Sequence, residues 1–218
     1  MSTESQGPFS FAFSFPRARG WMPILKGGVC LFFSFLILPG LVSSGYQYRL
    51  WRAAALGDEQ PEFEEYGDLL GKGLVLIVAG LPLGVLFLLG YVLLFTENYV
   101  AAIAVNTVVF ALAPAITTVF AATGSISETY TSRRVPDFVL TGHYAKYLVL
   151  SLGLAVAMYI VMLLSVFVFL VGVFFGTTYA TFAQASYWGR VYNQAMEKGV
   201  VEPVERPVHE RYEQTAGY

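Results

Sequence analysis

Four stretches of this chain contain no Asp, Glu, Lys, Arg or His: residues 27–48, 73–96, 98–127 and 147–189. They run for 22, 24, 30 and 43 residues. A helix needs roughly 20 apolar residues to cross the hydrocarbon of a bilayer, so each stretch is long enough. A water-soluble helix of that length carries charges along its outer face, and these carry none. The chain is 56% hydrophobic and 13% charged, against about a quarter charged in an ordinary soluble domain. The pattern predicts an all-α, polytopic transmembrane helix bundle with interfacial amphipathic helices.

The polar residues between the stretches set the expected layout. Residues 1–23 read as a flexible interfacial tail, in which Phe9, Phe11, Phe13 and Phe15 alternate with small residues and Pro8, Pro16 and Pro23 forbid a long helix. A single transmembrane domain is expected over 24–195, with five segments near 24–45, 73–96, 99–122, 147–170 and 173–192. The 43-residue stretch would be twice the hydrocarbon thickness as one helix, so it is read as two antiparallel spans reversing near Gly172 or Gly176. Residues 196–218 are read as a disordered polar tail.

The first segment stays ambiguous. Pro39-Gly40 should break it, so it either crosses or enters and returns; crossing is preferred, because an apolar stretch with no polar pore around it usually spans. A cleaved leader is a third reading, since Arg17, Arg19 and Lys26 precede an apolar run ending at Val42-Ser43-Ser44, but it would be unusually long. Ten of the thirteen Lys and Arg fall in the 46–72 and 123–146 connections and after Trp188, which places that face in the cytoplasm. Re-entry of the first segment would bring all thirteen together.

Within the connections, Pro61 is expected to open a helix with Glu62, Glu64 and Glu65 in its first turn. Pro61-Glu62-Phe63 and Pro136-Asp137-Phe138 echo each other 75 residues apart, the pattern of a parallel two-hairpin repeat. Asn106 is expected to make an interhelical hydrogen bond worth about 1 kcal/mol. Pro114 should kink its helix near Phe110, and Gly80, Gly84 and Gly90 should serve close helix packing.

The chemistry is mostly exclusion. One cysteine (Cys30) and two distant histidines leave no disulfide and no Cys/His metal site, and a net charge of −2 points away from nucleic acid. There is no GxSxG elbow, glycine-rich phosphate loop or HExxH, so neither an enzyme active site nor a cofactor is expected. The stretches hold no ionisable group for a proton relay. Arg49, Arg52, Arg133 and Arg134 form a belt that either pairs with the acids at 58–68 or grips lipid headgroups. The expected partners are the bilayer and a membrane protein or second copy of the chain. Two functions follow: a non-enzymatic scaffold or assembly component, which is preferred, or a carrier or flippase-like protein passing an apolar substrate between the hairpins near Pro82, Asn106 and Pro114.

The string from Gly45-Tyr46-Gln47-Tyr48-Arg49-Leu50-Trp51-Arg52, through Gly57-Asp58-Glu59, Pro61-Glu62-Phe63 and Tyr66-Gly67-Asp68-Leu69 to Gly73, resembles the signature of the DUF4013 family. These are multi-span membrane proteins of archaea and bacteria with no established function. Trp is common in the family where Tyr66 stands. Four lysines against nine arginines suit a salt-adapted archaeon. The resemblance implies a fold and a membrane and no activity.

Overall fold

The computed structural model describes residues 7–166 and 169–204, and among them every regular element is helical. Nine α-helices follow in order: α1 (Pro8–Ser14), α2 (Met22–Phe32), α3 (Leu38–Leu56), α4 (Tyr66–Phe95), α5 (Tyr99–Thr123), α6 (Ile126–Thr131), α7 (Arg134–Val139), α8 (Gly142–Val166) and α9 (Phe169–Glu197). Helices α4, α5 and α8 are long and apolar enough to cross a membrane, and they lie over the segments expected at 73–96, 99–122 and 147–170. Their outward side chains, Leu81, Val85, Leu88, Ile103, Val108, Val149 and Val156 among them, are exposed, as lipid-facing residues are.

Local chemistry explains the ends. Glu97 takes a positive φ in the tight turn after α4, and the Asn98 side chain accepts from the Ala101 amide to cap α5. Gly124 closes α5 in the left-handed conformation, and Ser125 then caps α6 by accepting from the Glu128 amide. The last two long helices are an antiparallel pair: Tyr187 donates to the Tyr147 carbonyl (2.8 Å) and Gly176 lies against Ser165. Gly172 and Gly176 both lie within α9, and Gly176 is a packing position.

The first apolar segment is not one helix. Helix α2 runs antiparallel to α9, with the Trp21 ring near Tyr179 and the Phe32 ring near Phe174. After a 3-10 turn at Ser34–Leu36, α3 runs parallel to α9, from Tyr46 against Phe182 to Trp51 and Ala54 against Gly189. The two arms form a hairpin whose ends lie together: Lys26 donates to the Phe63 carbonyl and Tyr46 to the Pro61 carbonyl. Eleven residues of α2 reach only about 16 Å, half the hydrocarbon thickness. Residues 24–45 are thus not one continuous helix but a hairpin of two shorter ones, broken at Ile37, whose φ of 65° no regular helix accommodates.

Helix α3 is the hub. Gly45 and Gly73 face each other's helices, and a Cβ on Gly45 would fall 1.8 Å from the Leu69 carbonyl oxygen, one on Gly73 2.0 Å from that of Leu41. Only hydrogen fits at either position, so α3 and α4 touch backbone to backbone. On its other side α3 meets α9 at Gly189. The α4/α5 hairpin and the α8/α9 hairpin are joined through this wedge.

Three further expectations change. The N-terminal segment is a docked element in its described part, because Phe11 and Phe15 stand four apart on one helical face, stack at 4.5 Å and are buried against α3 and α9. Residues 58–65 are not a helix: Arg19 and Arg49 draw their acids into ion pairs, and α4 begins only at Tyr66 and runs unbroken through Lys72. Of the echoed motifs, then, only the second opens a helix (α7), although Phe63 and Phe138 are both buried against tyrosines. In the C-terminal tail, Val201 is buried and the Glu202 carbonyl accepts from Arg134, while residues 205–218 lie outside the described ones.

Candidate functional site

The belt arginines are not gathered into one cluster. Arg49 pairs with Asp68 (Nε to Oδ2, 3.0 Å) and Glu65, clamping α3 to the start of α4. Arg52 donates to the carbonyls of Ala121 (3.2 Å) and Ala122 (3.0 Å), occupying acceptors that the last turn of α5 leaves unpaired. Arg134 pairs with Glu128 (2.8 Å) and reaches the Glu202 carbonyl, and Arg133 is exposed. Three of the four therefore tie helices together at the charged end. Exposed pairs of this kind contribute little stability singly.

A second ring of polar contacts sits at the proline positions. Pro82 and Pro114 remove an amide from α4 and α5, and the bend opens the neighbouring carbonyls. In each helix the carbonyl three residues before the proline accepts from a tyrosine of another element: Tyr130 donates to Ala79 (2.6 Å), and Tyr144 to Ala111. Pro16 follows the same rule, with Tyr179 donating to Phe13 (2.9 Å). Burial pushes the Tyr130 phenol above its ordinary pKa, so the donor keeps its proton. Next to this ring, Trp51 donates to Thr118 (3.0 Å), and Thr118 to the Pro114 carbonyl (2.5 Å).

Below these contacts the two hairpins part. A cavity of about 360 Å³ lies between α4/α5 and α8/α9, near the middle of each long helix, and includes Phe87, Asn106, Phe110, Ser151, Gln184 and Trp188 in its walls. Phe87 and Phe110 are 49% and 58% exposed at its mouth, whereas Trp188 is 2% exposed at its floor. The mouth thus opens on the exposed apolar surface of the long helices. A second cavity of about 330 Å³, reached past Ala155 and Gln184, continues the cleft between α8/α9 and Trp51 of α3.

Of the residues singled out in sequence, Asn106 and Pro114 line this cleft and Pro82 does not. Asn106 makes no cross-helix hydrogen bond among the described residues. Its amide donates to Ala102 of its own helix (2.9 Å) and lies in the slot left by Gly90, where a Cβ would come within 2.4 Å of Nδ2. Gly90 thus serves close packing, while Gly80 and Gly84 have nothing within 4 Å of where a Cβ would be. Gln184 and Trp188 lie close to Arg190 in sequence, yet the structure turns them into the cleft floor. One signal pointed there: Gln184 is the only carboxamide in the uncharged stretch 147–189.

At the charged end, Arg190 is buried on α9, bonded to Asn193 and paired with Glu197 (3.1 Å), with its guanidinium 5.8 Å from the Phe11 ring centre. A polar cavity of about 590 Å³ opens beside it. Among the described residues no three His, Cys, Asp or Glu side chains gather as a metal site. A family model described as "Protein of unknown function (DUF4013)" matches residues 29–170. No curated protein and no solved structure matches the chain.

Proposed function

Because the chain belongs to the DUF4013 family, whose description assigns no activity, we propose a function from the geometry alone: a multi-pass, non-enzymatic membrane protein that takes a neutral lipidic molecule from the bilayer into the cleft between its two hairpins. The reading rests on the cavity at mid-helix depth, walled by Phe87, Phe110 and Trp188, with its mouth among exposed apolar residues. A ligand entering sideways from hydrocarbon needs no aqueous path and no intramembrane charge. The charged end faces the cytoplasm by the positive-inside rule, with all eleven described Lys and Arg on that side once α2 and α3 return to it.

The test is photolabelling of the reconstituted protein with a diazirine-bearing fatty alcohol, mapped by mass spectrometry. Labels should concentrate on the α5 and α8 walls around Phe110 and Ser151, and Ala155→Trp, which fills the cleft, should reduce them at least fivefold. Labelling spread evenly over the exposed faces of α4, α5 and α8, unchanged in that variant, rules the reading out.

A second reading, an assembly component, is favoured by Gly80 and Gly84. Spaced four apart and facing open space on α4, they form the kind of surface on which another transmembrane helix packs. Disulfide crosslinking of Gly84→Cys copies in membranes would support it, and crosslinking no greater than that of Leu88→Cys would remove it.

A further inference from the structure

The cleft is apolar but not featureless. Trp188 is 2% exposed and lines the cavity, and its indole N–H makes no hydrogen bond among the described residues. The Gln184 carboxamide, on the same helix one turn away and also in the wall, makes none either. Asn106 spends one amide hydrogen on the Ala102 carbonyl and keeps the other. Three donor groups thus stand in the wall of a space otherwise lined by hydrocarbon, aromatic rings and the Ser151 hydroxyl, where donors left without an acceptor are costly. No ionisable side chain lines it.

These features sort the ligands a bilayer can offer. A saturated acyl chain fills the volume but leaves every donor unmet. A charged headgroup finds no counter-charge and would be stranded in hydrocarbon. A planar ring bearing carbonyl oxygens satisfies both demands: its faces lie against Phe87, Phe110 and Trp188, and its oxygens accept from Gln184, Trp188 and Asn106. Its apolar tail leaves through the mouth between Phe87 and Phe110 into the surrounding lipid. Resting on the function proposed above, we propose that the cleft is a binding site for a quinone-class molecule with a hydrocarbon tail, held through its ring carbonyls by Gln184 and Trp188.

The experiment uses the full chain in phosphatidylcholine nanodiscs titrated with decylubiquinone, a benzoquinone with a short alkyl tail. Quinones quench nearby tryptophans, so the fluorescence of Trp188 and Trp51 should fall saturably. Gln184→Leu should weaken the half-saturating concentration at least fivefold, and Trp188→Phe should remove most of the saturable signal. Asn106→Leu provides an independent variant should Gln184→Leu fail to elute as a single species. The quinone should also displace the diazirine alcohol from the α5 and α8 walls. Quenching that is non-saturable and equal in all variants overturns the assignment. If the alcohol still labels the cleft and the quinone does not compete, the quinone class falls while the lipidic reading stands; if the alcohol does not label the cleft, both fall.

Discussion

The charged end of the bundle and its middle are built in opposite ways. At the charged end α3 lies between α4 and α9 with backbone against backbone at Gly45, Gly73 and Gly189. Arginines and tyrosines then tie the surrounding carbonyls and acids. At mid-depth no such wedge exists, and α5 and α8 stand apart around a cavity. Helix association in lipid has no hydrophobic drive of its own and depends on close packing and hydrogen bonds. The end that holds both is therefore the part that folds the molecule, and the middle is left open for something else to fill.

Substitutions can break or sharpen that contrast. The largest effect is expected from Gly45→Val or Gly73→Val. Either places carbon inside a carbonyl of the facing helix, and overpacking against backbone should cost at least about 3 kcal/mol, read as a lost or strongly lowered thermal transition in detergent. Trp51→Phe removes the donor to Thr118 beside the wedge and should cost about 1 kcal/mol. Tyr144→Phe and Tyr130→Phe each free a carbonyl at a proline bend, at about 0.6 kcal/mol apiece, and the two should add, because they serve different helices. Gly84→Ala meets open space and should change stability by less than about 0.5 kcal/mol. A Gly84→Ala as damaging as Gly45→Val would erase the distinction between the two regions.

Much of the fold was legible because charge is costly in lipid: the gaps from Lys72 to Glu97, from Glu97 to Glu128 and from Lys146 to Arg190 placed α4, α5 and α8 directly. The returning hairpin was legible only as the less favoured alternative. Its 22 uncharged residues match a full span in length, and what turns the chain is a contact, Gly45 and Gly73 pressing α3 onto α4, together with the break at Ile37. The N-terminal phenylalanines misled for a similar reason, since alternation hides the four-residue spacing of Phe11 and Phe15. In the site, Asn106 and Pro114 stood out as a polar group and a breaker within apolar sequence. Gln184 and Trp188 lie within a few residues of a charge, Arg190; only the fold, by burying Arg190 beneath the N-terminal helix, leaves them inside.

The architecture turns on the α2–α3 hairpin returning to the charged end. Single cysteines, introduced into a Cys30→Ser background at Arg19, Asp58, Arg133, Lys198 and Glu97, can be challenged with a membrane-impermeant maleimide in sealed vesicles of known orientation. The first four should react from one side and Glu97→Cys only from the other. Reaction of Arg19→Cys from the side of Glu97→Cys would show that residues 24–45 cross the bilayer, and would contradict the account at its base.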